Sequence, residues 1–249
     1  MALVAVVALA AAVVQASTGL GFALILSPAV FALLEPENAV VAITVLGLAL
    51  NGLVLFGERR RPRVAWGEVG PILVASLPGA VCGVIVLRAL PKSALQIAVG
   101  VAVIGAAVLR ARARRDAAEP SAGDPRARLA LGFATGTLST SSGVNGPPLA
   151  LWFAHRGLGP AEIRDSLSAA FLGLGVIAAA VLAPVLAAAD TEVDWGALAA
   201  ALVCVVAGHA VGRRAFARMD ARRYEPLLLA IVVAAGTASI VAGVVTAST

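Results

Sequence analysis

Charge is scarce in this sequence. Only 13% of its 249 residues are Asp, Glu, Lys or Arg, about half the share found in soluble domains. Hydrophobic residues make up 60%, more apolar surface than a water-soluble chain of this length can hide in one core. The natural solvent for such a chain is lipid. Aromatic residues are few as well, at 4%. The apolar mass is therefore Ala, Val, Leu, Ile and Gly, residues that let helices approach closely within a bilayer. The two cysteines, Cys82 and Cys204, stand inside apolar runs and read as packing residues. There is no CxxC pair and no Cys/His cluster, so neither a metal nor a cofactor is expected. No break in composition marks a separate soluble domain.

The formal charge of +5 does not point to nucleic acid. Its Arg residues stand in short clusters between apolar runs, which is how a membrane protein fixes its orientation. The segment Met1 to Ser17 has the apolar stretch of a signal peptide but lacks the positive start of one, the first basic residue being Arg59. We expect it to be kept in the mature protein.

Apolar segments run at roughly 2–34, 38–57, 66–87, 93–109, 129–154, 165–187, 195–212 and 226–247. A spanning helix needs about 20 residues, and six of these segments suit one crossing each. The first and fifth differ, because each is interrupted by a polar, Gly-rich tip: Gln15 to Gly21 in one, Gly136 to Pro148 in the other. These two segments begin similar halves. We expect a first repeat at 1–115, a linker at 116–125 containing Pro120, Gly123 and Pro125, and a second repeat at 126–249. The third helix of each half carries a close-packing pair, Gly79/Gly83 and Gly208/Gly212.

Basic residues test the topology. If all eight segments span and the N-terminus is inside, the inner loops hold 10 Lys and Arg and the outer loops 9, which is no bias. If the fifth segment enters and returns to the same side, the inner loops hold 17 and the outer loops 2. For the first segment length decides. The roughly 14 residues before Gln15 rise about 21 Å, short of a core about 30 Å thick. The expected fold is an all-α integral membrane protein with two inverted repeats, each a re-entrant helical hairpin plus three transmembrane helices. Eight full transmembrane spans are the alternative. Inverted repeats are a common transporter plan, with the site at the midplane where broken helices meet.

Backbone that turns back at membrane depth must be buried or line a wet cavity. The second leg of each hairpin starts there, with free N–H groups and the positive end of a helix dipole. Two such ends make an anion site without any cation. Ser17 and Thr18 supply hydroxyls, and Gly19 and Gly21 give backbone access. In the second tip Ser139, Thr140, Ser141, Ser142 and Asn145 supply donors, while Gly143 and Gly146 free the chain. Pro147 and Pro148 sit where the leg would start. No Asp, Glu, Lys or Arg falls deep within a span, which argues against a carboxylate-coupled proton carrier. His209, beside the Gly208/Gly212 face, is the one candidate for coupling. His155 reads as interfacial. An enzyme finds little support: Gly19-Leu20-Gly21 lacks the strand–helix context of a dinucleotide fingerprint, and Ser139 to Ser142 have no acid–base set nearby.

At these tips the chain resembles the sulfite exporter TauE/SafE family of membrane transporters. The family carries a GIGGG-like run with a following proline, here Gly19-Leu20-Gly21-Phe22-Ala23 and Pro28. Its second, GIGGPP-like run is matched by Gly143-Val144-Asn145-Gly146-Pro147-Pro148. The resemblance covers nearly the whole chain. It implies a transporter of sulfite, sulfonates or related small anions in the bacterial cytoplasmic membrane. Phe22, Ala23 and Asn145 depart from family glycines, and Phe22 would narrow the site or add an apolar wall. A passive anion channel would use the same tips. A membrane assembly or sensor protein would use them for packing alone.

Overall fold

The computed structural model is helical and describes residues 2–57, 61–113, 124–188, 194–216 and 221–248. The linker at 116–125 lies outside the described residues except for Asp124 and Pro125. Five helices come from the first half of the sequence: α1 (Ala2–Thr18), α2 (Phe22–Leu33), α3 (Pro36–Phe56), α4 (Trp66–Ala89) and α5 (Lys92–Ala113). Five follow in the second: α6 (Pro125–Ser141), α7 (Gly146–His155), α8 (Pro160–Ala188), α9 (Trp195–Phe216) and α10 (Ala221–Ser248).

Both interrupted segments are broken helices. The first breaks at Gly19–Gly21 between α1 and α2, and the second at Ser142–Asn145 between α6 and α7. Gly19 and Gly143 hold φ angles of 74° and 73°, the left-handed region where a side chain is strained. Prolines do not stop α7 at its start; Gly146 is its first residue, one place earlier than the sequence suggested. Helix α1 has 17 residues, α2 12, α6 17 and α7 10. At 1.5 Å per residue they measure about 26, 18, 26 and 15 Å, all short of a hydrocarbon core about 30 Å thick. Helices α3, α4, α8 and α9 are long and apolar enough to cross it. In α5 and α10 the described apolar stretches are shorter, Lys92–Gly105 and Gly236–Ser248.

The helices pack in an exchanged pattern. The largest contact joins α4 to α6, and the next joins α1 to α9. Glycines make both possible. A methyl group on Gly79 would overlap the Phe133 carbonyl, and one on Gly83 the Thr137 carbonyl; Gly136 in turn lies against the Ser76 carbonyl. Likewise Gly208 lies against the Leu9 carbonyl and Gly212 against that of Val13. The order of these neighbours makes α4 parallel to α6 and α1 parallel to α9. Helices α5 and α10 touch through Gly100, Gly236 and Gly243. There Gly243 meets Ser93 while Gly236 meets Gly100, so this pair is antiparallel.

Polar contacts sort the loops into two groups. Lys92 pairs with Glu35 at 3.1 Å. At the other end Glu68 accepts from Arg156 Nη2 at 2.7 Å and from Trp152 Nε1 at 2.9 Å, with Arg128 Nη1 3.7 Å away. The Arg63 backbone N–H donates to Asp165 Oδ2, and that of Ala65 to Ser166 Oγ. Arg213 Nη1 donates to the Gly57 carbonyl.

Candidate functional site

A cavity with about 550 Å³ of free space, its mouth included, opens between the two helix breaks. From the first tip its wall takes Gln15, Leu20, Gly21, Phe22, Ala23 and Leu24; from the second it takes Ser139, Gly143, Val144, Asn145 and Gly146. Helix α3 adds Ile43, Thr44, Gly47, Leu48 and Asn51, and α8 adds Phe171 and Gly175. No charged side chain is among these residues.

The start of α2 is shaped by one side chain. An α-helix leaves its first N–H groups without partners inside the helix. Phe22 N donates to Gln15 Oε1 at 3.1 Å, and Ile25 N donates to the Gly21 carbonyl. The N–H groups of Ala23 and Leu24 have no acceptor among the described residues, and both residues line the cavity. Gln15 is itself held in place: its Nε2 donates to Asn51 Oδ1 at 2.8 Å, and Asn51 Nδ2 donates to the Gly47 carbonyl at 2.7 Å. Gln15 and Asn51 are 3% and 4% exposed. Two buried carboxamides, one from each of two apolar helices, thus form one chain of hydrogen bonds that ends on the tip.

The second tip is built differently. Proline has no N–H, and Pro147 and Pro148 take the second and third places of α7. Of the first-turn donors, only that of Gly146 belongs to a cavity residue. Side chains replace the missing groups. Ser139, Asn145 and Thr44 all reach the wall, and their side-chain polar atoms have no hydrogen-bond partner among the described residues.

Of the residues expected from sequence, the cavity brings together Gly21, Ser139, Gly143, Asn145 and Gly146. Thr140, Ser141 and Ser142 are buried outside the wall. Their hydroxyls donate to carbonyls, Thr140 to Ala80 at 2.8 Å, Ser141 to Thr137 at 2.7 Å and Ser142 to Leu138 at 3.0 Å. Gly19 is also outside the wall and backs onto Arg164, whose Nη2 donates to the Ala16 carbonyl at 3.4 Å. The side chains of Ser17, Thr18 and Pro147 lie outside the described residues. His209 is buried on α9, away from the cavity wall. Phe22 does form an apolar wall, together with Phe171 of α8. Gln15, Thr44 and Asn51 are the polar wall residues missing from the site expected from sequence. Their signal was a carboxamide or hydroxyl standing alone in a long apolar run, where a polar group needs a reason.

The C-terminal ends of α1 and α6, whose carbonyls would repel an anion, are both covered. Arg164 sits on that of α1. At α6 the Ser27 hydroxyl crosses from α2 and donates to the Ser142 carbonyl at 2.7 Å, while the Leu138 carbonyl accepts from Ser142 N and Gly143 N. What remains toward the cavity is a set of N–H groups, two hydroxyls and the Asn145 carboxamide in an apolar frame.

The family description Sulfite exporter TauE/SafE matches residues 4–239. Over 217 residues the chain is 29% identical to a protein of Cupriavidus necator named probable sulfite/organosulfonate exporter TauE, covering 85% of this chain and 79% of that one. No solved structure matches. The chain belongs to the sulfite exporter TauE/SafE family. It is therefore a multi-pass membrane transporter, not an enzyme.

Proposed function

We propose that the chain carries a small sulfur oxyanion, sulfite or an organosulfonate, across the bacterial cytoplasmic membrane, binding it in the cavity between the two helix breaks. The observation that carries this is the donor set without a cation: the N–H groups of Ala23 and Leu24, the hydroxyls of Ser139 and Thr44, and the carboxamide of Asn145. An oxyanion accepts hydrogen bonds and nothing else, and helix N-termini favour negative charge. The relative's name supplies the sulfur chemistry.

The repeats are read as inverted, with boundaries at 1–115 and 126–249 and a linker at 116–125. A two-fold axis in the membrane plane would exchange α1 with α6 and α4 with α9. The paired contacts α4 with α6 and α1 with α9 fit it. The same axis makes α5 and α10 antiparallel, whereas an axis along the membrane normal would make them parallel. Both hairpins are read as re-entrant. For the second, the ion pair of Glu68 with Arg156 and the bond from Arg63 to Asp165 support the reading, since they join the loop following α3 to the loop between α7 and α8. Eight full spans would set those loops on opposite faces. The face carrying Arg63, Arg128, Arg156 and Arg213 is then cytoplasmic by the positive-inside rule.

Proteoliposome efflux tests the reading. Sulfite or methanesulfonate should leave vesicles holding the wild type with saturable kinetics. The Asn145→Leu variant, still folded, should lose at least nine-tenths of that flux, since one hydrogen bond to a charged group is worth about 1.5–3 kcal/mol. Unchanged flux would remove Asn145 from the site, and non-saturating flux would point to a channel.

A further inference from the structure

We infer that Gln15 and Asn51 form a fixed donor face that selects oxyanions bearing no O–H group, and so separates sulfonates from hydrogen phosphonates of the same shape. The inference rests on the anion reading of the cavity and adds a selection rule to it.

The orientation of both carboxamides follows from what they touch. A backbone N–H can only donate, so the end of Gln15 that meets Phe22 N must be its oxygen. Its nitrogen therefore faces Asn51, and the Asn51 atom that receives it must be oxygen. The other end of Asn51 is then the nitrogen, which matches its contact with the Gly47 carbonyl. Three bonds thus consume one oxygen on each carboxamide and one N–H on each nitrogen. One N–H on each side chain is left over, and both side chains line the cavity. Neither group can turn round without setting donor against donor at Phe22 or acceptor against acceptor at Gly47.

The neighbouring N–H groups of Ala23 and Leu24 add to the same face, since neither can accept. No carboxylate or imidazole is among the cavity residues. An oxyanion whose exposed oxygens are all acceptors satisfies this face. One that carries an O–H must turn that group away from this face, toward the hydroxyl oxygens of Ser139 or Thr44 or toward Asn145 Oδ1, or else set it against a donor, where an unmade bond is expensive. Phe22 and Phe171 provide the apolar surface for a short organic tail.

Methanesulfonate and singly ionised methylphosphonate make the comparison, because they share size, tail and charge and differ by one O–H. Binding to the purified protein is measured by calorimetry at mildly acidic pH. The wild type should prefer methanesulfonate by about tenfold or more. Asn51→Asp and Gln15→Glu each replace a donor by an acceptor, and each should shrink or reverse that preference. Asn145→Leu should weaken both ligands without lowering the preference for methanesulfonate. A wild type that binds both ligands alike overturns the inference, as do folded variants that keep the full preference. In those cases an Asn145→Leu effect on methanesulfonate still upholds the anion site. A wild type that binds neither ligand overturns both. If one acidic variant does not fold, the other and the wild-type ratio decide.

Discussion

At the first helix break the donors beside the cavity are backbone N–H groups, with two anchored carboxamides next to them. At the second break they are side chains. Yet Gln15, Gly19 and Gly21 stand along the first tip as Ser139, Gly143 and Asn145 stand along the second, and Gly19 and Gly143 share a φ near 74°. The backbone plan is common to both, while the chemistry is divided between them. Two prolines take N–H groups from α7, and Ser139 and Asn145 restore donors there. The carbonyl ends are covered in two ways as well, by the guanidinium of Arg164 at the first tip and by the Ser27 hydroxyl at the second. A shared turn therefore need not carry a shared set of ligand contacts, and the residues around each turn can be changed separately.

The largest expected effect comes from the packing that holds the tips in place. Gly79→Val and Gly208→Val each drive a branched side chain into a backbone carbonyl of the partner helix. Each should destabilise the protein by about 3 kcal/mol, because overpacking against backbone cannot be relieved by a rotamer change. Thermal unfolding in detergent checks this. Equal losses would support equivalent roles for the two interfaces, and a loss at one alone would break the equivalence.

A smaller effect separates the two ways of covering a helix end. Ser27→Ala leaves the Ser142 carbonyl without its donor and should cost about 1 kcal/mol of stability at any salt concentration. Arg164→Gln removes a charge instead. It should weaken anion binding a few-fold at low salt, and less at high salt, where a charge acting through solvent is screened. Titrating methanesulfonate at two ionic strengths distinguishes them. A salt-independent loss in Arg164→Gln would make that residue a packing element only.

The smallest effect tests whether the second tip works through its backbone at all. Pro148→Ala returns an N–H to the first turn of α7. With Ser139 and Asn145 supplying the donors, anion affinity should change by less than about threefold. Stability should fall by about 0.4–1 kcal/mol as the unfolded chain gains freedom. A marked gain in affinity would show that the helix end itself is the stronger donor.

Much of this was legible in the sequence, for a physical reason. Gly, Ser and Pro clustered inside an apolar run interrupt a helix, so the runs Gln15–Gly21 and Gly136–Pro148 marked the breaks, which the structure narrows to Gly19–Gly21 and Ser142–Asn145. Lengths followed from the residue count. The glycine pairs on α4 and α9 announced close approach, but a glycine says only that something comes near, not what. That α4 receives α6 and α9 receives α1 needed the fold. The hydroxyls misled in a particular way. Ser141 and Ser142 return their protons to carbonyls one turn back, a local bond that a list of donors does not show. Gln15 and Asn51 carry no charge, so a search for ionised groups within the spans does not reach them. Their pairing joins residues 36 apart in the chain, and no spacing rule reaches that far.

The exchange of first helices between the halves bears on how the chain is made. During synthesis α1 emerges well before α9, and finds its glycine-lined berth only when Gly208 and Gly212 have left the ribosome. Helix α6 meets the opposite situation, since α4 is already in place when it arrives. One hairpin must wait and the other can dock at once. Translation order therefore gives the two broken helices unequal histories, and the early one depends longest on whatever shelters an unfinished membrane protein.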